Sequence, residues 1–270
     1  MAQINHPKAS PSSRLEQQVG LSNISIDYSR PAVKGRKIFG DLVPYGRIWR
    51  VGANASTKIT VDSDVQVMGN MLRAGTYALY AFPEAEEWEI VFHSNTEHWG
   101  DGRTAYDSEE DVFRIRVKPE VLLYKQENFL ISFDGLKHDA VNMIFAWDDT
   151  KIMIPISVDT HSLMLKEIEK QFKVNPTAQT YYEAARYLQE KETDYKKALI
   201  YLDKAIELGG NTYYFYRVKS LVEAALYDYS SAIKSAKKSL KLADEEGKDE
   251  FVRMNEKNIT AWNELIIERE

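Results

Sequence analysis

Hydrophobic and polar residues alternate at period two through most of the first 160 residues, which is typical of β-strands that bury one face. No helix of convincing length separates these segments, and the run 76–82 adds another apolar strand. The pattern predicts about nine to eleven strands joined by hairpins or Greek-key crossings. We therefore expect an all-β antiparallel sandwich over residues 1–160, with a jelly-roll-like arrangement favoured. The alternating apolar positions are Ile24, Ile26, Tyr28, Ile59, Val61, Trp88, Ile90, Phe92, Phe113, Ile115, Val117, Phe129, Ile131, Phe133, Val141, Met143, Phe145, Trp147, Ile152, Ile154, Ile156 and Val158.

Glycine and proline, which break helices and build turns, divide the chain at the same place. Of its 13 glycines and 8 prolines, only Pro176, Gly209, Gly210 and Gly247 follow residue 160. The second part is therefore predicted to be all-α, with breaks only at its joints. A helix over 161–174 is expected to link it to the first part.

The helical part repeats with a period of 34 residues, because Asp194-Tyr195-x-x-Ala198 recurs as Asp228-Tyr229-x-x-Ala232. Such a period, with a small residue where two helices touch, is typical of helical-hairpin repeats. The stretch 175–268 resembles the tetratricopeptide (TPR) repeat family. The resemblance implies two TPR-like helical hairpins followed by a capping helix.

Aromatic side chains crowd the first helix of each predicted hairpin. The resemblance implies that these helices line a concave groove that holds peptides. Because periodicity requires about half of the aromatics for packing between helices, we favour Tyr182, Tyr214 and Arg217 as groove residues. A protein or peptide partner is expected there, although a docking role toward the first part of the chain is an open alternative.

A long motif in the first part carries a second resemblance. Residues 27–54 read DYSRPAVKGRKIFGDLVPYGRIWRVGAN, and Ala74-Gly75-Thr76-Tyr77 and Trp88 follow. Over about residues 8–157 the chain resembles the domain of unknown function 2911 family, which is seen mainly in exported proteins of Bacteroidota. The resemblance implies export to the periplasm or beyond, and it brings no reaction with it.

Composition limits the chemistry that the chain can carry. With no cysteine among 270 residues, disulfides, thiolate metal sites, iron–sulfur clusters and a cysteine nucleophile are excluded. No apolar run approaches the ~18 residues that cross a bilayer, so no membrane span is expected. The net charge of -6 argues against a nucleic-acid partner.

The first residues bear on localisation. Met1-Ala2-Gln3-Ile4 has neither the positive n-region nor the apolar h-region of a signal peptide. It is typical of a mature export junction with an initiator methionine in front, or of a short disordered N-terminus. With the family resemblance, the first interpretation predicts an extracytoplasmic protein, periplasmic or secreted, whose signal peptide has been removed.

Charge is unevenly distributed in the first part, since residues 1–160 carry 17 basic and 22 acidic side chains. A basic segment on such an acidic body attracts anions, and the planar arginine fork binds two oxygens of a carboxylate, sulfate or phosphate. Turn residues make the segment a long loop, and long loops in compact domains are usually functional or disordered. The segment 30–50 contains Arg30, Lys34, Arg36, Lys37, Arg47 and Arg50 against Asp41 alone.

An anionic or carbohydrate ligand is the expected occupant of this loop. Burial of Trp49 would direct Arg50 to the opposite face, away from the core, whereas Lys34 and Lys37 are expected in solvent. The alternative is that the cations pair with surplus carboxylates of the same domain and lock the loop down. The predicted ligand-binding residues are Arg30, Arg36, Trp49, Arg50, Asn54 and Thr57.

The polar loop 93–111 holds a second group of candidates. Histidine and carboxylates are ordinary zinc ligands, but the spacing matches no established motif, so no metal and no other cofactor is predicted. Trp99-Gly100 and Tyr106 offer instead an aromatic platform for a sugar or peptide, or the loop is simply packed. The possible metal ligands are His93, Glu97, His98, Asp101 and Asp107.

Three functions are open from the sequence. The favoured one is an exported, non-enzymatic binding protein, with a ligand at loop 30–50 and a protein partner at the repeats. No coherent catalytic set is found, so no catalytic residue is predicted. The alternative is a hydrolase or lyase acting on an anionic glycan or phosphorylated substrate, with His93, His98 or Asp107 in one cleft with Arg50. The third is a structural assembly component without a pocket.

Overall fold

A computed structural model describes residues 6–98 and 105–268 of the chain. The chain divides into two compact units, Met1–Met164 and Leu165–Glu270. An antiparallel β-rich region comes first and an all-helical region of six helices follows, which confirms the predicted order of the two classes. The candidates at the export junction and at Trp99, Gly100 and Asp101 lie outside the described residues.

The larger sheet has six strands in the order β1-β2-β3-β6-β7-β8, and each neighbouring pair is antiparallel. Neighbouring strands of this sheet are consecutive in the chain, except that two short strands of the other sheet come between β3 and β6. The strands are β1 (Ser12–Val19), β2 (Ser22–Ser29), β3 (Thr57–Val61), β6 (Gly75–Phe82), β7 (Trp88–His93) and β8 (Asp111–Val117).

The smaller sheet has four strands, which are β4 (Val65–Val67), β5 (Asn70–Leu72), β9 (Glu120–Asp134) and β10 (Ala140–Val158). Their order is β5-β4-β10-β9. A single core cluster draws residues from both sheets, including Ile26 and Ile90 from the larger sheet and Ile131 and Ile154 from the smaller one. The predicted alternation therefore points the apolar side chains of both sheets into one core.

The helices are α1 (Thr160–Val174), α2 (Ala178–Glu190), α3 (Tyr195–Glu207), α4 (Tyr213–Ala225), α5 (Tyr229–Glu245) and α6 (Asp249–Ile267). The aspartates of the repeated motif cap α3 and α5: Asp194 accepts from the N–H of Lys197 at 3.3 Å, and Asp228 from that of Ser231 at 3.0 Å. None of the helices among residues 6–98 and 105–268 has both the length and the apolar character needed to cross a membrane.

Candidate functional site

Segment 30–50 is an ordered loop between β2 and β3 that is tied to both sheets. Near its start, the N–H of Val33 donates to the carbonyl oxygen of Glu127 on β9 at 2.8 Å. Near its end, Trp49 and Ala81 of β6 exchange two backbone hydrogen bonds of 2.8 Å. These anchors fix both ends of the loop, and the chain between them forms much of the wall of a pocket.

The pocket has a volume of about 390 Å³, a size typical of small-molecule sites. Three of its described lining side chains are basic and none is acidic. The rings of Trp49 and Trp147 contribute apolar surface and stack with their centroids 5.9 Å apart. The described lining residues are Ala9, Ser10, Pro31, Ala32, Lys34, Arg36, Leu42, Val43, Pro44, Ile48, Trp49, Arg50, Gly52, Ala53 and Trp147.

The basic lining residues are Lys34, Arg36 and Arg50. The side chains of Lys34 and Arg36 are exposed, and neither forms a salt bridge with a described carboxylate, although the backbone N–H of Lys34 donates to Oε1 of Glu127 at 2.9 Å. The Nε of Arg36 donates to the carbonyl oxygen of Val33 at 3.0 Å, which holds the guanidinium against the loop backbone. Arg30 does not line the pocket, and its Nε donates to the carbonyl oxygen of Phe129 at 3.0 Å. The sequence left open that the cations of this loop pair with carboxylates of the same domain. Among the described residues, the side chains of Lys34 and Arg36 form no such pair.

Two other predicted ligand contacts support the pocket wall. Trp49 lines the pocket but is buried, and its Nε1 donates to the carbonyl oxygen of Gly52 at 3.2 Å. Asn54 is not a lining residue. Its Nδ2 donates to the carbonyl oxygen of Ser10 at 3.2 Å, and Ser10 lines the pocket. Asn54 therefore positions the segment that forms the far wall.

The backbone beside Arg50 is strained. Val51 has a φ of 53°, in a region that β-branched residues rarely occupy, and Gly52 has a φ of 143°. Thr57, the remaining predicted contact, is fully buried: its hydroxyl donates to the carbonyl oxygen of Val51, and its N–H to that of Arg50 at 3.1 Å. Strain of this kind persists only where the surroundings enforce it, and it clusters at ligand sites.

A second cluster forms between β7 and the start of β8. The Nε2 of His93 lies 3.4 Å from Oε2 of Glu110, and Nε2 of His98 lies 3.8 Å from the same oxygen. One ligand atom from each of these residues lies within 4.8 Å of the other two, so the three could hold a metal ion. Asp107 lies outside this group and caps the short 3₁₀ helix that ends at Glu110.

Tyr80 links this cluster to the basic loop. Its hydroxyl oxygen lies 3.2 Å from Nδ1 of His98. Burial raises the pKa of the Tyr80 hydroxyl. The side chain of Ser56 lowers this pKa, the charge of Glu110 raises it and the charge of Arg50 lowers it. The two charges that act on this buried phenol belong to Glu110 of the histidine cluster and to Arg50 of the pocket wall.

The helical unit has a pocket of its own, with a volume of about 400 Å³, and all three predicted groove residues line it. The ring centroids of Tyr182 and Tyr214 lie 5.1 Å apart. Nη1 of Arg217 donates to Oδ1 of Asn255 at 3.0 Å, and burial lowers the pKa of the Arg217 guanidinium. This pocket combines an aromatic wall with a half-buried cation.

Sequence reasoning missed two residues of these sites. Lys34 was predicted in solvent, yet the exposed side chain also lines the pocket, because a left-handed turn at Lys34 and Gly35 places it there. Glu110 stands among three consecutive acids and nothing in the sequence distinguishes it. The signal that indicates Glu110 is the strand register, in which His93 pairs with Asp111, the residue that follows Glu110 in the chain.

Comparison with known families covers the β-rich unit. A family model described as protein of unknown function (DUF2911) matches residues 10–156, more than half of the 270 residues, and this range includes loop 30–50 and the histidine cluster. No curated protein matches the chain. The chain therefore belongs to the DUF2911 family.

Proposed function

We propose that this protein is an exported binding protein that takes an anionic ligand in the pocket beside loop 30–50. The observation that carries the proposal is the charge of the pocket wall, to which Lys34, Arg36 and Arg50 contribute and to which no described acidic residue contributes. Arginine forks suit carboxylate, sulfate and phosphate groups. Sulfated, uronate and phosphorylated compounds, including acidic carbohydrates, present such groups.

The degree of exposure of the cations predicts how binding depends on salt. Lys34 and Arg36 are exposed, so their attraction for an anion is screened by salt over about 10 Å at 0.1 M ionic strength. Arg50 is half-buried, and a charge in such a position interacts more strongly because the effective dielectric constant is lower. Affinity is therefore expected to fall with ionic strength without vanishing.

Titration calorimetry of the full-length protein at low salt tests this proposal, with inorganic phosphate, sulfate, glucuronate and a sulfated oligosaccharide as probes. The double variant Lys34→Gln/Arg36→Gln removes two exposed charges, and the affinity for the best probe should fall at least about tenfold. The matched control Lys37→Gln/Arg47→Gln removes two basic residues of the same loop that do not line the pocket. The control should bind as the wild type does.

Equal affinity of the double variant and the wild type would contradict anion recognition at this pocket. Binding of a neutral saccharide that resists both added salt and the double substitution would also reject it. Arg30→Gln should leave the affinity unchanged, because the Arg30 guanidinium is engaged with Phe129 outside the pocket lining.

We infer that the two sheets pack as a β-sandwich, because a single core cluster contains residues of both sheets. A jelly-roll-like arrangement has less support, since neighbours in the larger sheet largely follow chain order.

We also infer that α2–α3 and α4–α5 are TPR-type hairpins capped by α6. The support is that α3 and α5 begin 34 residues apart, each after a capping aspartate, and that Ala198 and Ala232 are fully buried.

We further propose that the pocket of the helical unit takes a peptide from a protein partner. Tyr182, Tyr214 and Arg217 offer ring faces and a charge to such a segment. The test selects peptides from a displayed random library on the full-length protein and then measures their affinity for Tyr214→Ala. Tyr227→Ala, an exposed tyrosine outside the pocket lining, is the control. Selected peptides that bind both variants equally would contradict this site.

We propose that the protein is exported, because it belongs to the DUF2911 family and the resemblance to this family implies export. Fractionation of the native host, followed by detection with a specific antibody, should place the protein in the periplasmic or secreted fraction. Recovery in the cytoplasmic fraction alone would contradict this localisation.

A hydrolase or lyase acting on an anionic glycan or phosphorylated substrate is the second candidate function. One observation favours it: His93, His98 and Glu110 lie together, with the hydroxyl of Tyr80 beside His98. Chromogenic phosphate and sulfate esters test it with the wild type and His98→Ala. Turnover that is lost in His98→Ala would favour the enzyme, and anion binding without turnover would favour the binding protein.

A further inference from the structure

We propose that His93, His98 and Glu110 form a binding site for a divalent transition-metal ion of the zinc type. The site uses none of the residues that line the anion pocket, so it stands or fails independently of the proposed function. It departs from the expectation from sequence, which assigned no metal to this loop.

The separations of the ligand atoms fit a small ion. Nε2 of His93 and Nε2 of His98 lie 3.4 Å and 3.8 Å from Oε2 of Glu110. Two ligands bound tetrahedrally to Zn²⁺ at ~2.0–2.1 Å are about 3.4 Å from each other. One ligand atom of each residue lies within 4.8 Å of the other two, so an ion bound by all three requires the His98 and Glu110 side chains to rotate until the separations reach about 3.4 Å.

His93 is oriented as a metal ligand. Its side chain is fully buried, and Nδ1 lies 3.0 Å from Oδ1 of Asp111. An ionised carboxylate can only accept in such a hydrogen bond, so the proton lies on Nδ1 and the lone pair of Nε2 points away from Asp111. Carboxylates commonly hold the far nitrogen of a metal-binding histidine in this way.

The Nε2 of His93 is an unsatisfied buried atom. It has no hydrogen-bond partner among the described residues, although Oε2 of Glu110 lies 3.4 Å away. Buried polar atoms without a partner are rare in folded proteins and call for an explanation such as a bound ion. An ion pair of His93 with Glu110 is the alternative explanation of this contact, and the Zn²⁺ titration described below distinguishes the two.

His98 and Glu110 are also held in place by neutral groups. The hydroxyl oxygen of Tyr80 lies 3.2 Å from Nδ1 of His98, and in the tautomer in which Nδ1 donates to this oxygen, Nε2 carries the lone pair that binds the ion. Nδ2 of Asn95 donates to both carboxylate oxygens of Glu110 at 3.1 Å. These contacts orient the ring and the carboxylate while their metal-binding lone pairs stay available.

The donor set selects the class of ion. Two imidazoles and one carboxylate suit Zn²⁺ and neighbouring first-row ions, whereas Ca²⁺ and Mg²⁺ prefer oxygen ligands throughout. Three protein ligands are fewer than the four of closed structural zinc sites, so a further position is left for water or another ligand.

The test uses full-length protein without a polyhistidine tag, dialysed against a chelator. Titration with ZnCl₂ by calorimetry should saturate at about one equivalent, and CoCl₂ should produce the strong visible absorption of a four-coordinate ion. His98→Ala and Glu110→Gln should each lower the Zn²⁺ affinity by more than about 100-fold, because loss of a supporting partner alone costs about 10–100-fold. Tyr80→Phe, which removes such a partner, should cost about tenfold.

Matched controls are His138→Ala and Glu109→Gln, which change an exposed histidine and an exposed neighbouring carboxylate outside the cluster. Both should bind Zn²⁺ as the wild type does. Circular dichroism without metal checks that each variant is folded, and His98→Gln replaces His98→Ala if the alanine variant unfolds. Wild-type affinity in the two ligand variants, or no saturable Zn²⁺ binding by the wild type, would overturn the proposal.

Discussion

Replacing Gly52 with alanine should disturb the strained turn beside Arg50. Gly52 has a φ of 143°, and a Cβ added there would lie 2.9 Å from the backbone carbonyl oxygen of Ser29. Neither atom belongs to a flexible side chain, so the backbone must shift to separate them. The same residue lines the anion pocket, and the shift should therefore reach the ligand site.

The expected loss of stability in Gly52→Ala is the sum of two contributions. An L-residue forced into this conformation costs about 1–3 kcal/mol, and overpacking adds about 1 kcal/mol or more. We expect Gly52→Ala to lower the free energy of unfolding of the β-rich unit by about 2–4 kcal/mol. Gly35→Ala is the matched control, since Gly35 has a φ of 68° with nothing within 4 Å of its added Cβ. It should lose only about 1–2 kcal/mol.

Urea unfolding followed by tryptophan fluorescence measures both variants, because Trp49, Trp88 and Trp147 all belong to the core cluster of the β-rich unit. Gly52→Ala should also weaken binding of the anionic probe, as measured by calorimetry. Equal unfolding free energies for the two glycine variants would refute the reasoning, because the contact with Ser29 would then contribute nothing.

Two predictions concern the helical unit, where far-ultraviolet circular dichroism follows urea unfolding. Burial raises the pKa of the Glu223 carboxyl above its ordinary value of 4.5, although Ser235 and Lys219 lower it. The folded state therefore loses stability as pH rises from 4.5 through the raised pKa, and Glu223→Gln should gain on the wild type over that interval. A constant difference between about pH 4 and about pH 8 would contradict this. Fully buried Asn255 accepts from Arg217, so Asn255→Leu should cost about 2–4 kcal/mol, whereas Glu256→Leu on the exposed face should change little.

The alternation of apolar residues located most strands, but it failed where a strand lacks one buried face or is interrupted. β1 is an edge strand paired only with β2, and its outward side chains, such as Glu16 and Gln18, are polar and exposed, so no apolar alternation marks it. The alternating runs 141–147 and 152–158 are separated by the polar residues 148–151, yet both lie in the single strand β10. An irregularity around Asp148, with a φ of 52°, breaks the period without ending the pairing.

Charge counting could predict that loop 30–50 is a candidate site, but it could not predict which residues of the loop line the pocket found there. The excess of cations in 30–50 is a property of composition, but which cations face one pocket depends on contacts that are distant in sequence. Arg30 is taken out of the pocket by Phe129, which lies 99 residues away in the chain. In the helical unit, all three predicted groove residues line one pocket because helical periodicity alone sets which side chains share a face.

Two residues of the basic loop, Ile48 and Arg50, connect the pocket beside loop 30–50 to Tyr80, which contacts His98 of the proposed metal site. Ile48 lines the anion pocket and packs against the buried cluster that contains Tyr80, while the charge of Arg50 acts on the Tyr80 hydroxyl. Thermodynamic linkage then makes the two affinities reciprocal: the factor by which zinc changes anion binding must equal the factor by which the anion changes zinc binding. Repeating each titration in the presence of the other ligand measures both factors. If both differ from one by the same amount, segment 48–50 couples the binding of a cation to the binding of an anion.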